Sequence, residues 1–201
     1  MMSETGSVKF NCDHVAAPMP HFRDFDQLNE CRGRLLKLGL VGVDANGIGF
    51  GNVSVRNGAS AQFYITGSGT GGIAELTPVD CAKVVGYDFG KNWLRCEGPT
   101  VASSESLTHA AVYEMAPAVN AVIHCHDTKL WTSLCGKAPT TPKDAEYGTP
   151  EMAYAVQRLF ENGDVEKKRI FVMSAHEGGI VTFGKNLKQA FETLLEQHTG
   201  K

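Results

Sequence analysis

Short apolar segments joined in pairs by tight turns are the feature that most limits how this chain can fold. Residues 49–56 and 61–66 flank Asn57-Gly58, a dipeptide typical of β-hairpin turns. Two further pairs flank Phe89-Gly90-Lys91 and the turn at 175–179. Amphipathic segments with helical spacing separate the pairs, at 24–38, 104–115, from 149 onward and at 186–198. This order predicts an α/β fold in which helices cover a mixed or mainly antiparallel sheet.

The length and composition predict one ordinary globular domain. A chain of 201 residues can bury most of a substantial apolar core, and its 42% hydrophobic and 20% charged residues are close to average soluble usage. Without a linker, repeat or low-complexity segment to divide it, we assign residues 1–201 to a single domain. Residues 1–22 are predicted to form an N-terminal arm.

Charge and hydrophobicity exclude several classes of partner. A formal net charge of -3 with mixed signs offers no large positive field for nucleic acid or anionic lipid. We find no apolar stretch long enough for a signal peptide or a membrane span, so we expect no membrane partner and a cytoplasmic location. The six cysteines form no C-x-x-C pair, and we expect them to be reduced.

Three histidines are candidate metal ligands. His124 and His126 alternate along one strand, so their side chains share a face about 6 to 7 Å apart along the backbone. This spacing alone is equally compatible with one core histidine and one exposed histidine. His176 tips the balance towards metal, because it lies in a Gly-rich turn between two apolar strands, where it has little packing role. Three neutral imidazoles suit a catalytic zinc site, and manganese or another first-row divalent ion is an alternative. We interpret His109 as a structural hydrogen-bonding residue instead of a ligand.

Two polar clusters could bind an anion. Ser103, Ser104 and Glu105 begin a helix, where free backbone amides and the positive end of the dipole favour negative charge, although simple capping explains the serines equally well. Asn52 in one strand and Thr66-Gly67 at the end of the next could face the same anion.

The motifs GNVSVR, ITGSG, ASSESLTH, AVIHCH and a late His-Gly turn occur in an order that resembles the class II aldolase/adducin family, over roughly residues 25–195. The family includes zinc-dependent L-fuculose-phosphate and L-rhamnulose-phosphate aldolases, an L-ribulose-phosphate epimerase and a methylthioribulose-phosphate dehydratase. The resemblance implies a three-layer α/β/α fold with a central, mainly antiparallel sheet. It also implies a homotetramer with the active site near a subunit interface.

The resemblance also implies roles for the candidate residues. The expected reaction is a lyase (aldolase) cleavage of a phosphorylated ketose or related sugar derivative through an enediolate stabilised by Zn²⁺ or another divalent metal such as Mn²⁺. Glu105 would be the acid/base and a further candidate metal ligand. The metal would be bound by His124, His126 and His176, and the substrate phosphate by Asn52, Thr66, Gly67, Ser103 and Ser104.

Two departures from the family pattern leave the reaction open. The fuculose-phosphate aldolases use a tyrosine beyond the histidine strand as proton donor, but residues 127–148 offer only Tyr147, to which we do not transfer that role. Glu177 follows His176 where many relatives have glycine, and solvent is its expected environment. An epimerase or dehydratase could use the same site. A non-catalytic, adducin-like interaction module is the third alternative, which the retention of Glu105 and the three histidines disfavours.

Overall fold

The structure, a computed structural model, describes residues 9–199. Ten strands and six α-helices follow one another in the order β1 Asn11–Ala16, α1 Phe25–Lys37, β2 Gly42–Val43, β3 Gly49–Phe50, β4 Asn52–Arg56, β5 Phe63–Thr66, β6 Cys81–Asp88, β7 Trp93–Gly98, α2 Ser106–Met115, β8 Ala121–His126, α3 Thr128–Leu134, α4 Pro150–Asn162, α5 Val165–Lys168, β9 Ile170–Val172, β10 Gly179–Gly184 and α6 Leu187–Thr199. A short 3-10 helix, Pro78–Asp80, precedes β6. The four predicted helical regions all contain helices, with ends shifted by a few residues at most.

Eight strands form one sheet in the order β1-β7-β6-β5-β4-β8-β10-β9. The pair β1 and β7 is parallel, and the other six neighbouring pairs are antiparallel. The sheet is therefore mixed, with the three predicted hairpins at their expected positions. Strands β2 and β3 form a separate two-stranded ribbon.

The N-terminal segment contains a strand that the sequence pattern did not indicate. Residues 1–8 of the predicted arm lie outside the described residues, but Asn11–Ala16 forms the edge strand β1. Its alternating exposed and half-buried residues provide too little apolar signal for a strand prediction. The assignment of residues 1–201 to one domain stays a prediction.

A glycine divides the first predicted strand of the Asn57-Gly58 hairpin. Gly51 separates β3 from β4 and has φ +74°, a left-handed conformation that side chains rarely adopt. A Cβ at this position would meet Val41 Cγ1 at 2.5 Å. Because of this break, β3 turns away to pair with β2, and Asn52 becomes the first residue of β4.

The sheet has an apolar core on each face. On β4, Val53 and Val55 belong to a cluster shared with α1 and α6, and on β8 Val122 belongs to a second cluster shared with α2 and α4. On β8, Val122 and its neighbour Ile123 thus face different cores, because successive side chains of a strand point to opposite faces of the sheet. Within residues 9–199, no helix has the length and hydrophobicity that a membrane-spanning segment needs.

A buried polar network joins β4 to α2 inside the second core. Ser54 Oγ lies 2.7 Å from His109 Nδ1 and 2.8 Å from the Tyr113 hydroxyl. Among the described residues, none provides a hydrogen-bond partner for His109 Nε2. Burial lowers the pKa of His109 to about 3, so the ring is neutral near pH 7. His109 is a structural hydrogen-bonding residue here, as interpreted from the sequence.

The buried His109 should make the protein lose stability in mild acid. The folded-state pKa lies below the unfolded value of roughly 6.5, so only the unfolded chain binds a proton as the pH falls from 6.5 towards 3. Relative to His109→Asn, the wild type should lose about 2 kcal/mol of unfolding free energy between pH 7 and pH 5. Urea denaturation at both pH values measures this difference.

Ser54→Ala is the matched control for that measurement, because it breaks the same hydrogen bond but keeps the titrating ring. It should lower stability at both pH values and retain the wild-type pH dependence. An equal pH dependence in His109→Asn and the wild type would contradict the prediction.

Candidate metal and anion site

The central strands bring the two strand histidines to one face. His124 pairs with Asn52 of β4 and with Val181 of β10, and His126 pairs with Gly179. The ring centroids of His124 and His126 are 4.9 Å apart, and their Nε2 atoms are 3.1 Å apart. Both rings therefore point to one position above the sheet.

His176 reaches the same position from the turn between β9 and β10. Its backbone N–H donates to the Met173 carbonyl, and its carbonyl accepts from Gly179 N–H at 2.8 Å, which closes the turn. Its ring centroid is 5.3 Å from that of His124 and 4.6 Å from that of His126. One nitrogen of each ring lies within 4.8 Å of the others, so the three side chains could hold a metal ion.

The surroundings of the rings favour their neutral form. Burial lowers the pKa of His126 to about 4 and that of His176 to about 3, and it lowers the pKa of His124 well below its usual value. His124 Nδ1 lies 3.2 Å from the Ile180 carbonyl, which can only accept, so Nδ1–H donates and Nε2 keeps a free lone pair. Neutral imidazoles with free lone pairs are what a divalent metal requires.

Glu105 places a buried carboxyl group beside this cluster. It immediately precedes α2 and is 3% exposed. Its Oε2 accepts a hydrogen bond from Thr108 Oγ1 at 3.0 Å, whereas Oε1 lies 3.7 Å from His176 Nε2 and has no hydrogen-bond partner among the described residues. Burial raises the pKa of Glu105 to about 7, against smaller lowering effects of Thr108 and the Lys9 charge. A carboxyl group that titrates near neutral pH can both accept and donate a proton.

A cavity of about 520 Å³ connects the histidines and Glu105 to most of the predicted anion-binding residues. Asn52, Gly67, Ser103 and Ser104 all line it. Asn52 Nδ2 donates to Ser103 Oγ at 2.9 Å, and Asn52 Oδ1 has no partner in the described part of the chain. Thr66 lies behind this wall, where its Oγ1 accepts from Val53 N–H at 3.2 Å. The structure therefore brings four of the five residues to the cavity surface.

Two residues near the site were missed by the sequence analysis or left without a role. The Tyr147 ring lies 4.3 Å from that of His176 and lines the cavity, and Lys9 Nζ lies 3.6 Å from the Tyr147 ring centroid. Lys9 also lies 3.8 Å from Glu146 Oε2. Lys9 belongs to no recognisable sequence motif, and only its position in the folded chain shows that it lies near the site. Glu177 is exposed, as expected.

A larger cavity of about 770 Å³ lies elsewhere and is lined by Arg56, Tyr64 and Lys185, among others. Among the described residues, the group formed by His124, His126 and His176 is the one that could hold a metal, and it is not part of that cavity. The cavity that contains the three histidines and Glu105 is thus the smaller one, and we assign the candidate site to it.

Comparisons with known proteins identify the family and the fold of the chain. The family model for the Class II Aldolase and Adducin N-terminal domain matches residues 40–199. No curated protein matches the sequence. An L-fuculose 1-phosphate aldolase structure is 23% identical, with a TM-score of 0.66 over 90% of this chain and 84% of that chain. The L-fuculose-1-phosphate aldolase from Thermus thermophilus is 22% identical, with a TM-score of 0.61 over 87% of this chain and 89% of that chain.

YgbL from Klebsiella pneumoniae, described as a candidate aldolase/epimerase/decarboxylase, is 19% identical, with a TM-score of 0.64 over 87% of this chain and 84% of that chain. Similarity at this level of identity shows a shared fold, which is the class II aldolase-like fold. Because the family model covers most of the chain, this protein belongs to the class II aldolase/adducin family.

Proposed function

We propose that this protein is a divalent-metal-dependent aldolase that cleaves a phosphorylated ketose or a related sugar derivative. The observation that carries the proposal is the unpartnered Oε1 of the buried Glu105, 3.7 Å from His176 in a cluster of three neutral imidazoles. A buried carboxyl group with a free oxygen beside potential metal ligands has little structural purpose. The structures named as fuculose-phosphate aldolases share the fold in which it lies.

The histidine cluster fits a divalent ion. Tetrahedral zinc with nitrogen ligands at ~2.0–2.1 Å separates those nitrogens by about 3.3 Å. His124 Nε2 and His126 Nε2 are 3.1 Å apart, close to that value. His176 would complete three protein ligands, as in catalytic zinc sites, and Glu105 is near enough to be a further ligand. A bound Zn²⁺ or Mn²⁺ would supply a Lewis acid that stabilises negative charge on the ketose oxygens.

The chain's own residues would position the substrate and move the proton. Asn52, Gly67, Ser103 and Ser104 line the part of the cavity that we assign to the phosphate, with Thr66 supporting the wall from behind. When the carbon–carbon bond breaks, the hydroxyl group on the departing fragment loses its proton and becomes the aldehyde, and the remaining enediolate must gain a proton on carbon. Glu105 would exchange this proton, because its unpartnered Oε1 lies 3.7 Å from His176 Nε2 and its side chain lines the cavity in which the substrate would bind.

Epimerisation or dehydration of a sugar phosphate is the second proposed function. The same residues would serve it, and YgbL, which shares the fold, is described with aldolase and epimerase as alternatives. A non-catalytic, adducin-like module would not need the buried, unpartnered carboxyl oxygen of Glu105. We therefore rank that module last.

We also propose that the protein is a cytoplasmic homo-oligomer, with a homotetramer as the expected form. Val43 of β2 and Ile48, immediately before β3, are 46% and 39% exposed, and Ile73, next to Gly72, is 37% exposed. Large exposed apolar side chains, of which Ile48 lines the cavity, favour contact with a second chain. Light scattering of the purified protein measures the assembly, and a monomer would contradict the proposal.

Removing a proposed metal ligand should remove the metal. Wild-type protein should contain about one divalent ion per chain, and His176→Ala should lose at least ten-fold in metal affinity, because two imidazoles cannot complete the site. Elemental analysis of both proteins after dialysis measures this change. His21→Ala is the control, because His21 is exposed and pairs with Asp26 away from the site. Metal-free wild-type protein that also fails to bind metal after reconstitution would contradict both enzyme proposals.

The products of a substrate panel should distinguish the two enzyme functions. Metal-loaded protein incubated with a panel of ketose 1-phosphates should release dihydroxyacetone phosphate and an aldehyde from at least one member. A coupled dehydrogenase assay and mass spectrometry follow the products. A product of unchanged mass would instead indicate epimerisation, and a product lacking one water would indicate dehydration.

Glu105→Gln should lower turnover by about 10²- to 10⁴-fold, the usual contribution of an acid/base, with little change in metal content. Glutamine can still accept the Thr108 hydrogen bond, so the cavity wall should keep its shape. Glu177→Gln is the matched control, since this exposed carboxylate lies next to His176 but outside the cavity, and its turnover should stay within about two-fold. Full turnover of Glu105→Gln would exclude Glu105 from proton transfer.

A further inference from the structure

Arg32 places a buried positive charge beneath the glycine loop, which we define as residues 67–73. Arg32 lies on α1 and is 3% exposed. Its Nη2 donates to the Thr70 carbonyl at 2.9 Å and to the Gly71 carbonyl at 2.6 Å, and its Nη1 donates to the Ile73 carbonyl. Three carbonyl groups of one short loop thus converge on a single guanidinium group.

The charge of Arg32 is not neutralised by an ion pair. Within residues 9–199, no carboxylate oxygen lies within 4.0 Å of its guanidinium nitrogens. Asp80 is close enough for its charge to favour the ionised guanidinium, but its Oδ2 accepts hydrogen bonds from Thr77 instead. Buried charges usually have an ionic partner, so a guanidinium group held only by carbonyls leaves positive potential in the loop.

The loop passes between Arg32 and the proposed substrate cavity. Gly67, Gly69 and Gly71 line the cavity, while the carbonyls of Thr70 and Gly71 point to Arg32. In a planar trans peptide, the N–H of the next residue points opposite to the carbonyl. The Gly71 N–H therefore points away from the guanidinium group. A Cβ on Gly71 would meet the Gly42 carbonyl at 2.1 Å, so only glycine allows this close packing.

Among the described residues, the cavity wall itself provides no positively charged lysine or arginine side chain for a phosphate group. The wall includes the acidic Asp44 and Glu105. Lys9, near Tyr147, is already engaged by that ring and by Glu146. An anion beside Ser103 would thus meet neutral donors on the cavity surface, with the Arg32 charge behind the loop.

We propose that Arg32 is a positioning residue for substrate anion binding: it fixes the glycine loop by three carbonyls and makes the cavity side of that loop attractive to a phosphate group. The inference rests on the proposed function, because it assigns the phosphate of the substrate to this wall. Arg32 does not touch the substrate. It acts through the Thr70–Gly71 peptide and through its charge.

Arg56 provides a matched control elsewhere in the fold. It is a half-buried arginine that donates to four backbone carbonyls, those of Val119 at 2.8 Å, Ser60 at 3.1 Å, Tyr113 at 2.7 Å and Ala116 at 3.3 Å. It does not line the proposed cavity. Replacing it removes a comparable set of hydrogen bonds, so it separates loss of stability from loss of anion binding.

The test titrates inorganic phosphate into purified wild type, Arg32→Met, Arg32→Lys, Arg56→Met and Ser103→Ala by calorimetry, at matched metal content and well below each melting temperature. Arg32→Met should raise the phosphate Kd by at least about ten-fold, because a unit charge ~10 Å from a singly charged phosphate contributes roughly that much at an effective dielectric constant of ~20. Arg32→Lys should raise it less, since the charge remains. Arg56→Met should bind phosphate like wild type, and Ser103→Ala should bind it more weakly.

The outcomes separate this inference from the proposed function. Weakened binding in both Arg32→Met and Ser103→Ala, with Arg56→Met unchanged, supports the inference. If Arg32→Met does not fold, Arg32→Lys decides: a raised phosphate Kd at unchanged metal content supports the inference, and an unchanged phosphate Kd overturns it. If Ser103→Ala weakens phosphate binding but neither Arg32 variant alters it, the inference about Arg32 is overturned and the phosphate assignment stands. Wild-type protein that binds no phosphate overturns the phosphate assignment as well.

Discussion

The register between β4, β8 and β10 is the constraint on which the rest of the site depends. It sets Asn52 opposite His124 and places His126 opposite Gly179, next to the turn that carries His176. A slip of one residue in β8 would turn both histidines to the face of the α1/α6 core and bring apolar side chains into the cavity. Because Ile123 and Cys125 are fully buried on that other face, the same packing that stabilises the sheet also selects the register that assembles the site.

Burial shifts the pKa values of the site in opposite directions, down for the histidines and up for Glu105. It disfavours charge, so it keeps the imidazoles neutral and at the same time raises the pKa of Glu105 to about 7. An exposed version of this cluster would lose both properties, because its histidines would titrate near pH 6.5 and its carboxyl group near pH 4. The position of Glu105 immediately before α2 holds the carboxyl group in this dry environment, with Thr108 one turn along the helix as its hydrogen-bond donor.

The parts of this molecule that local pattern controls could be predicted from the sequence, and the parts that tertiary contacts control could not. The alternation of His124 and His126, the paired hairpins and the helix after Glu105 follow from periods of two and of about 3.6 residues. In contrast, β1 has weak alternation, and its place beside β7 depends on a parallel pairing between residues about 80 positions apart. Lys9 beside Tyr147 and Arg32 beneath the glycine loop depend in the same way on contacts distant in sequence, which one sequence does not reveal.

The histidines of the candidate site are held by sheet strands, whereas the opposite cavity wall is formed by loops. This difference suggests how one fold can serve several reactions. The histidines lie on or next to sheet strands, whose ladder of hydrogen bonds allows little change without loss of the core. The cavity wall opposite them comes from the glycine loop and from the segment that carries Tyr147, both of which lie outside the sheet. Substitutions in these loops could reshape the substrate cavity while the register of β8 stays intact. A single side chain on α1, Arg32, then limits how far the glycine loop can move, because three of the loop's carbonyls depend on it.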